Sequence, residues 1–128
     1  MTIDELFNAA GSVFWVNEES MLDTLTAPIG CAPAYVFLFM EALQKAAESR
    51  GIPEDLAAKI ALQSVLGAAE LATHSGRSFA SLRAGVTTPN GVTEHSLQKL
   101  STDDFFATFK DVFAAAEERI AEIMNSSK

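Results

Sequence analysis

The sequence predicts an all-α fold, and three observations carry that expectation. Near the C-terminus, Phe105, Phe109, Val112, Phe113, Ala116, Ile120, Ile123 and Met124 recur at steps of three and four residues, which places them on one helical face. Prolines and glycines stand mostly between apolar stretches rather than inside them, where they punctuate helices. Only Gly11 to Val16, with Val13, Phe14, Trp15 and Val16, has the β-branched and aromatic composition of a strand.

Taken in order, Ile3 to Ala10 reads as a short helix leading into that β-rich run. Ser20 to about Thr26 forms another short helix, which Pro28 and Gly30 interrupt. Pro33 suits the first turn of a long helix reaching Arg50, and Gly51 closes it. Pro53 opens the next, where Glu54 and Asp55 complement the positive end of the helix dipole, and Gly76 stops it after His74. Its small residues, Ala57, Ala61, Gly67, Ala68 and Ala69, let another helix approach closely and make it central to the packing. Ser78 to Gly85 is a further short helix, followed by a turn and by Glu94 to Leu100. In the last helix Ser101 precedes Thr102-Asp103-Asp104, close to a capping box with Asp in place of Glu. From Asp103 to Met124 this helix extends about 33 Å, long for a small domain and suited to packing on a partner chain.

Composition narrows the function. A chain of 128 residues that is 48% hydrophobic fits one domain with a core, and its net charge of -8 argues against nucleic acid and anionic membrane, which call for clustered Lys and Arg. Cys31 is the only cysteine, so an internal disulfide is excluded and a reducing, cytoplasmic setting is the simplest. The most apolar run, Ala32 to Met40, falls short of the roughly 20 residues that span a bilayer. The N-terminus lacks the basic start of a secretion signal.

Few residues carry chemistry. The seven glycines never take the Gly-x-Gly-x-x-Gly spacing of a dinucleotide fingerprint. His74 and His95 stand apart and read as surface or capping residues, no metal-ligand pattern is present, and Cys31 reads as a small buried side chain. The acidic pairs Asp103-Asp104 and Glu117-Glu118 read as solvated charge. One segment stands out. Val86 to Leu97 carries Thr88 ahead of a Pro89-Asn90-Gly91 turn, and Thr93 is placed to cap the helix that follows. Unpaired backbone N–H groups and two threonine hydroxyls there form a receptor for a carboxylate or phosphate. An ordinary helix connection accounts for the same local pattern.

Cys31 to Leu43, Gly51-Ile52-Pro53, Leu66-Gly67-Ala68-Ala69, and Leu82-Arg83 ahead of the turn stand in an order and spacing that resemble the C-terminal half of pyrroline-5-carboxylate reductase. The resemblance covers nearly the whole chain and puts Val86 to Leu97 where that family has a Ser-Pro-Gly-Gly-Thr-Thr type of loop. It implies an all-α dimerisation domain in which the helices of two chains interlock, giving a homodimer that can assemble further. It also implies a share in the NAD(P)H-dependent reduction of 1-pyrroline-5-carboxylate to L-proline. Thr88, Asn90, Gly91, Val92 and Thr93 would hold the substrate carboxylate. Thr93, which would approach the ring nitrogen, is the candidate catalytic residue, and Thr26 is a further substrate contact.

The chain departs from the family pattern at several positions. Ile29-Gly30-Cys31-Ala32 stands where Ser-Gly-Ser-Gly is usual, Ala84 replaces an acid that commonly follows the arginine matching Arg83, Asn90 replaces a glycine, Val92 often a threonine, and Ser96 a smaller residue. Residues 1–16 resemble the last helix and strand of the family's nucleotide-binding domain, with 17–128 as the helical dimerisation and substrate-side domain. On this reading residues 1–128 bind no cofactor themselves and are inactive alone. The competing function is a non-catalytic, acidic helical interaction module.

Overall fold

The computed structural model describes residues 1–127. It is all-α, as the apolar periodicity requires. Helix α1 (Ile3–Asn8) is followed by α2 (Met21–Leu25), a π-helical segment (Thr26–Cys31), α3 (Ala32–Glu48), α4 (Glu54–Ser75), α5 (Phe79–Gly85), α6 (Val92–Leu100) and α7 (Thr102–Ser126).

Local chemistry sets most of the ends. Thr2 and Glu5 form a reciprocal capping box at the start of α1. The short link between α3 and α4 turns at Gly51, whose φ of 88° favours a residue without Cβ, and Pro53 stands at the α4 N-cap with Glu54 and Asp55 in the first turn. Gly76, at φ 67°, ends α4 in the left-handed conformation. The Ser78 side chain accepts from the Ser81 N–H and caps α5.

Helix α3 packs along α4, and this hairpin is the most extensive contact between elements. Ala57 and Ala61 lie fully buried in α4, where small side chains let α3 come close. Gly67 is half-buried, whereas Ala68 and Ala69 lie open in the single chain. Around the other end of α3, α7 packs on the π segment, on α2 and on α6. Tyr35 meets Phe109 edge-on at a centroid distance of 6.4 Å and Phe113 in a tilted pair, while Phe105 and Phe109 lie tilted to each other at 5.1 Å.

Several expectations are corrected. Among the described residues there is no strand: Gly11 to Val16 has no partner to form a ladder with and runs as irregular chain. Its Trp15 Nε1 donates instead to Asp4 Oδ1 at 2.6 Å, tying the segment back to α1. Pro28 and Gly30 do not break the helix. The chain widens into π geometry from Thr26 to Cys31, the Ala32 N–H donates to the Ala27 carbonyl five residues back, and α3 follows without a gap. Thr93 lies inside α6, which begins earlier than expected, with Gly91 at the N-cap. Ser101 makes no side-chain bond to the backbone of α7. It sits at φ 47° and donates its hydroxyl to Asp104 Oδ2 at 2.7 Å. Finally, Met21–Glu48 and Glu54–Ser75 are continuous helices long and apolar enough, by length and composition, to cross a bilayer, although the unbroken apolar run is short.

The core of the single chain is small. Ala27, Ala57 and Ala61 are the buried apolar residues among those described. The exposed surface is 10458 Å², against about 6,600 Å² for a compact monomer of this mass. Phe37, Leu38, Phe39, Leu62 and Leu66 on the α3–α4 hairpin are among the large apolar side chains left open.

Candidate functional site

The turn before α6 is built by backbone hydrogen bonds that the sequence makes available. Thr87 closes the end of α5: its N–H donates to the Ala84 carbonyl at 3.1 Å and its hydroxyl to the Arg83 carbonyl. Thr88 to Gly91 is then a tight turn in which the Gly91 N–H donates to the Thr88 carbonyl at 2.9 Å. Pro89 presets the second position and Asn90 takes φ 61° at the third, a conformation that asparagine tolerates better than most residues. Gly91 is needed for closeness rather than for dihedral freedom. At φ -88° its backbone is ordinary, yet a Cβ there would lie 3.0 Å from the Thr88 carbonyl oxygen.

This arrangement delivers α6 with its first N–H groups open. Gly91 accepts from the His95 N–H, so the helical ladder starts there, and the N–H groups of Val92, Thr93 and Glu94 have no acceptor among the described residues. Val92 is 84% exposed and Thr88, Asn90 and Thr93 are also open to solvent. The positive end of the α6 dipole is therefore open to solvent, with Thr88 and Thr93 close by in the chain, and such an end can attract a carboxylate by charge and by hydrogen bonds together. Glu94 adds a group that the sequence reading missed. Its Oε2 reaches back to accept the Asn90 N–H at 2.5 Å. The signal was present as a carboxylate three residues after the N-cap, the position from which a capping box is closed.

Thr26 belongs to a different part of the chain. It opens the π segment, and its hydroxyl donates to the Leu22 carbonyl at 3.3 Å. The π segment and α6 both pack on α7, so α7 is their common neighbour, and the single chain groups Thr88 to Thr93 while keeping Thr26 on the other element. Cys31 is half-buried at the end of the π segment, beside Tyr35. Loss of solvent and the neighbouring thiol hold the Tyr35 hydroxyl above its ordinary pKa. Among the described residues no group of three His, Cys, Asp or Glu side chains could hold a metal ion. A surface depression lined by Phe7, Phe14 and Ile29 among others lies at the N-terminal segment, and none of its lining residues belongs to the turn.

A model of the pyrroline-5-carboxylate reductase dimerisation family matches residues 19–123, which takes in both Thr26 and the turn. The chain belongs to that family. It is 38% identical to a pyrroline-5-carboxylate reductase of Pseudomonas aeruginosa over 93% of its own length and 44% of the relative's. It is 36% identical to the enzyme of Pisum sativum over 94% of its length, again 44% of the relative's. Among solved structures, the reductase of Coxiella burnetii superposes with a TM-score of 0.85 at 36% identity, covering 95% of this chain and 47% of that one. The Plasmodium falciparum reductase, solved with NADP bound, gives 0.81 at 31% identity, covering 91% and 47%. The chain thus spans less than half the length of these relatives, matching their C-terminal half. The likeness extends to the helical architecture.

Proposed function

We propose that residues 17–128 form the dimerisation and substrate-side half of a pyrroline-5-carboxylate reductase, in which the turn and the start of α6 hold the carboxylate of 1-pyrroline-5-carboxylate or proline. The observation that carries this reading is the set of open N–H groups at Val92, Thr93 and Glu94, flanked by the Thr88 and Thr93 hydroxyls, in a chain of this family. Thr88, Asn90, Gly91, Val92 and Thr93 shape this receptor, and Thr93 stands nearest to the reacting ring nitrogen. Thr26 joins the site from the partner of an interlocked homodimer, since within one chain it lies on another element. The same interlocking covers the apolar faces of α3 and α4, which accounts for their bilayer-like hydropathy without a membrane. A single cysteine and the biosynthetic relatives fit a cytoplasmic setting.

The chain's own part in the reduction of the C=N bond is to fix the substrate's carboxylate and thereby aim its ring. We assign no nicotinamide site to these residues. The glycines lack the fingerprint spacing, and no strand among the described residues offers the carboxyl-end crevice where dinucleotides sit. We place the hydride donor on a nucleotide-binding unit outside residues 17–128, of which residues 1–16 are the adjoining end.

The test is a titration of isotope-labelled protein with proline, followed by backbone amide resonances. Saturable shifts centred on Val92 to Glu94 are expected. Silence there at saturating proline would reject the carboxylate reading and leave an acidic helical interaction module.

A further inference from the structure

Helix α5 is short, its first residue Phe79 is open to solvent, and among the described residues it packs extensively on no other helix. A strap of that kind takes its position from its two ends. At the near end the Arg77 N–H donates to Ser75 Oγ at 3.2 Å, which holds the link to the last residue of α4. The Arg77 side chain then reaches forward along α5. Its Nε donates to Ser81 Oγ at 3.1 Å, and its Nη2 donates to the Ser81 carbonyl at 2.9 Å and to Oγ at 3.0 Å. Beyond Ser81 the guanidinium lies against Gly85, the last residue of α5, where a Cβ would stand 3.1 Å from Nη2 and 3.4 Å from Nη1. Gly85 does not take a positive φ, so dihedral freedom is not what its missing side chain supplies. It supplies a seat for the guanidinium, whose charge suits the negative end of the helix dipole. Directly after that seat Thr87 donates back to the Ala84 carbonyl, and Thr88 opens the turn.

We infer that Arg77 is a positioning residue for the turn: its guanidinium, forked onto Ser81 and seated on Gly85, latches the end of α5 and so fixes where Thr88 to Gly91 begin. The bearing of the latch on ligand binding rests on the carboxylate reading above; the latch itself does not. A pinned guanidinium and a loose one give opposite signs for Gly85→Ala. Alanine is the better helix former, so with a guanidinium free to swing aside the substitution firms the end of α5. A guanidinium held by its hydrogen bonds cannot give way without breaking them, and the same substitution then loosens it.

The experiment measures amide hydrogen exchange at Thr87 and Gly91, whose N–H groups close the end of α5 and the turn, in the 128-residue protein and in Arg77→Ala, Gly85→Ala and the double variant. Arg77→Ala speeds exchange at both amides by about five-fold, the effect of losing hydrogen bonds at an exposed site. Gly85→Ala speeds it with Arg77 present and slows it by about three-fold in the Arg77→Ala background, where helix propensity acts alone. Arg77→Lys keeps the charge without the fork and matches Arg77→Ala. The melting midpoint, which reports the helices that pack on one another, changes little in all four variants. Slowing by Gly85→Ala in both backgrounds, or exchange in Arg77→Lys equal to the parent's, overturns the latch. In the same samples proline affinity falls alongside the faster exchange; unchanged affinity despite faster exchange overturns the positioning role. Absence of proline binding by the parent protein overturns the carboxylate reading, while the sign reversal at Gly85 still decides the latch.

Discussion

Dilution is the perturbation that most directly tests how this chain holds its fold. The single chain exposes 10458 Å², about 3,900 Å² beyond a compact monomer of its mass. Taking roughly 60% of that excess as apolar, at about 25 cal/mol/Å², gives about 60 kcal/mol of burial that a solitary chain forgoes. Net stabilities are only about 5–15 kcal/mol, so a chain of this shape is expected to rely on a second copy for its fold. Folding and association are then one equilibrium, and a tenfold rise in concentration adds about 1.4 kcal/mol to a dimer. Against an unfolding entropy of about 0.54 kcal/mol/K for two chains of this length, the midpoint rises by about 2–3 °C per tenfold. Thermal melts by circular dichroism across two decades of concentration, paired with sedimentation, read this out. A monomeric mass with a midpoint independent of concentration would refute the reasoning.

Two other outcomes follow from the turn and from the surface. Gly91→Ala must displace the Thr88 carbonyl or the start of α6, because the new Cβ would lie 3.0 Å from that oxygen and 3.2 Å from Thr88 Cβ. Proline affinity, followed by the amide shifts at Val92 to Glu94, is expected to fall by about ten-fold, the effect of about 1.4 kcal/mol, while the melting midpoint changes little; unchanged affinity would separate the turn from binding. The Glu41–Lys45 pair on α3, 2.6 Å apart, sets a pH dependence of known sign. Lys45 holds the Glu41 carboxyl below its ordinary pKa, so its contribution is present above the unfolded value and lost as pH falls through the lowered one. Glu41 raises Lys45, whose contribution is present below its unfolded value and lost as pH rises through the raised one. Both groups are well exposed, so the stability difference between the parent and Glu41→Gln is small, is greatest near neutrality, and shrinks at both pH extremes and in high salt. A difference that persists unchanged at acid pH contradicts this assignment.

What the sequence disclosed is what local physics controls. The stripe from Phe105 to Met124 fixed α7 because a three-and-four spacing has no other economical reading, and Gly51, Pro53 and Gly76 marked the ends of α3 and α4 because backbone sterics act within a few residues. The π segment was illegible for the same reason. Pro28 and Gly30 signal a stop, whereas the helix runs on in wider geometry where this stretch packs on α7. The strand-like run from Ser12 to Val16 failed in the opposite direction: strand propensity is realised only with a partner, and here Trp15 turns back to Asp4. In the candidate site the turn itself was readable, since Pro89, Asn90 and Gly91 each have a fixed backbone preference. The cap was not, because Thr93 and Glu94 compete for the same helix start. The outcome, with Gly91 at the N-cap and Glu94 on Asn90, depends on a reach of four residues back along the chain.

The π segment has a consequence for how residues 21–48 are phased. An ordinary α-helix advances about 100° per residue, and a π turn accommodates one extra residue in its coil. Everything upstream of Thr26 is therefore rotated relative to α3 by about the angle of one residue compared with a helix of uniform pitch. That offset lets α2 address α7 while α3, past Tyr35 in its first turn, addresses α4. One column thus serves two neighbours that lie in different directions, and the buried Ala27, at the point where the pitch changes, acts as the pivot between them.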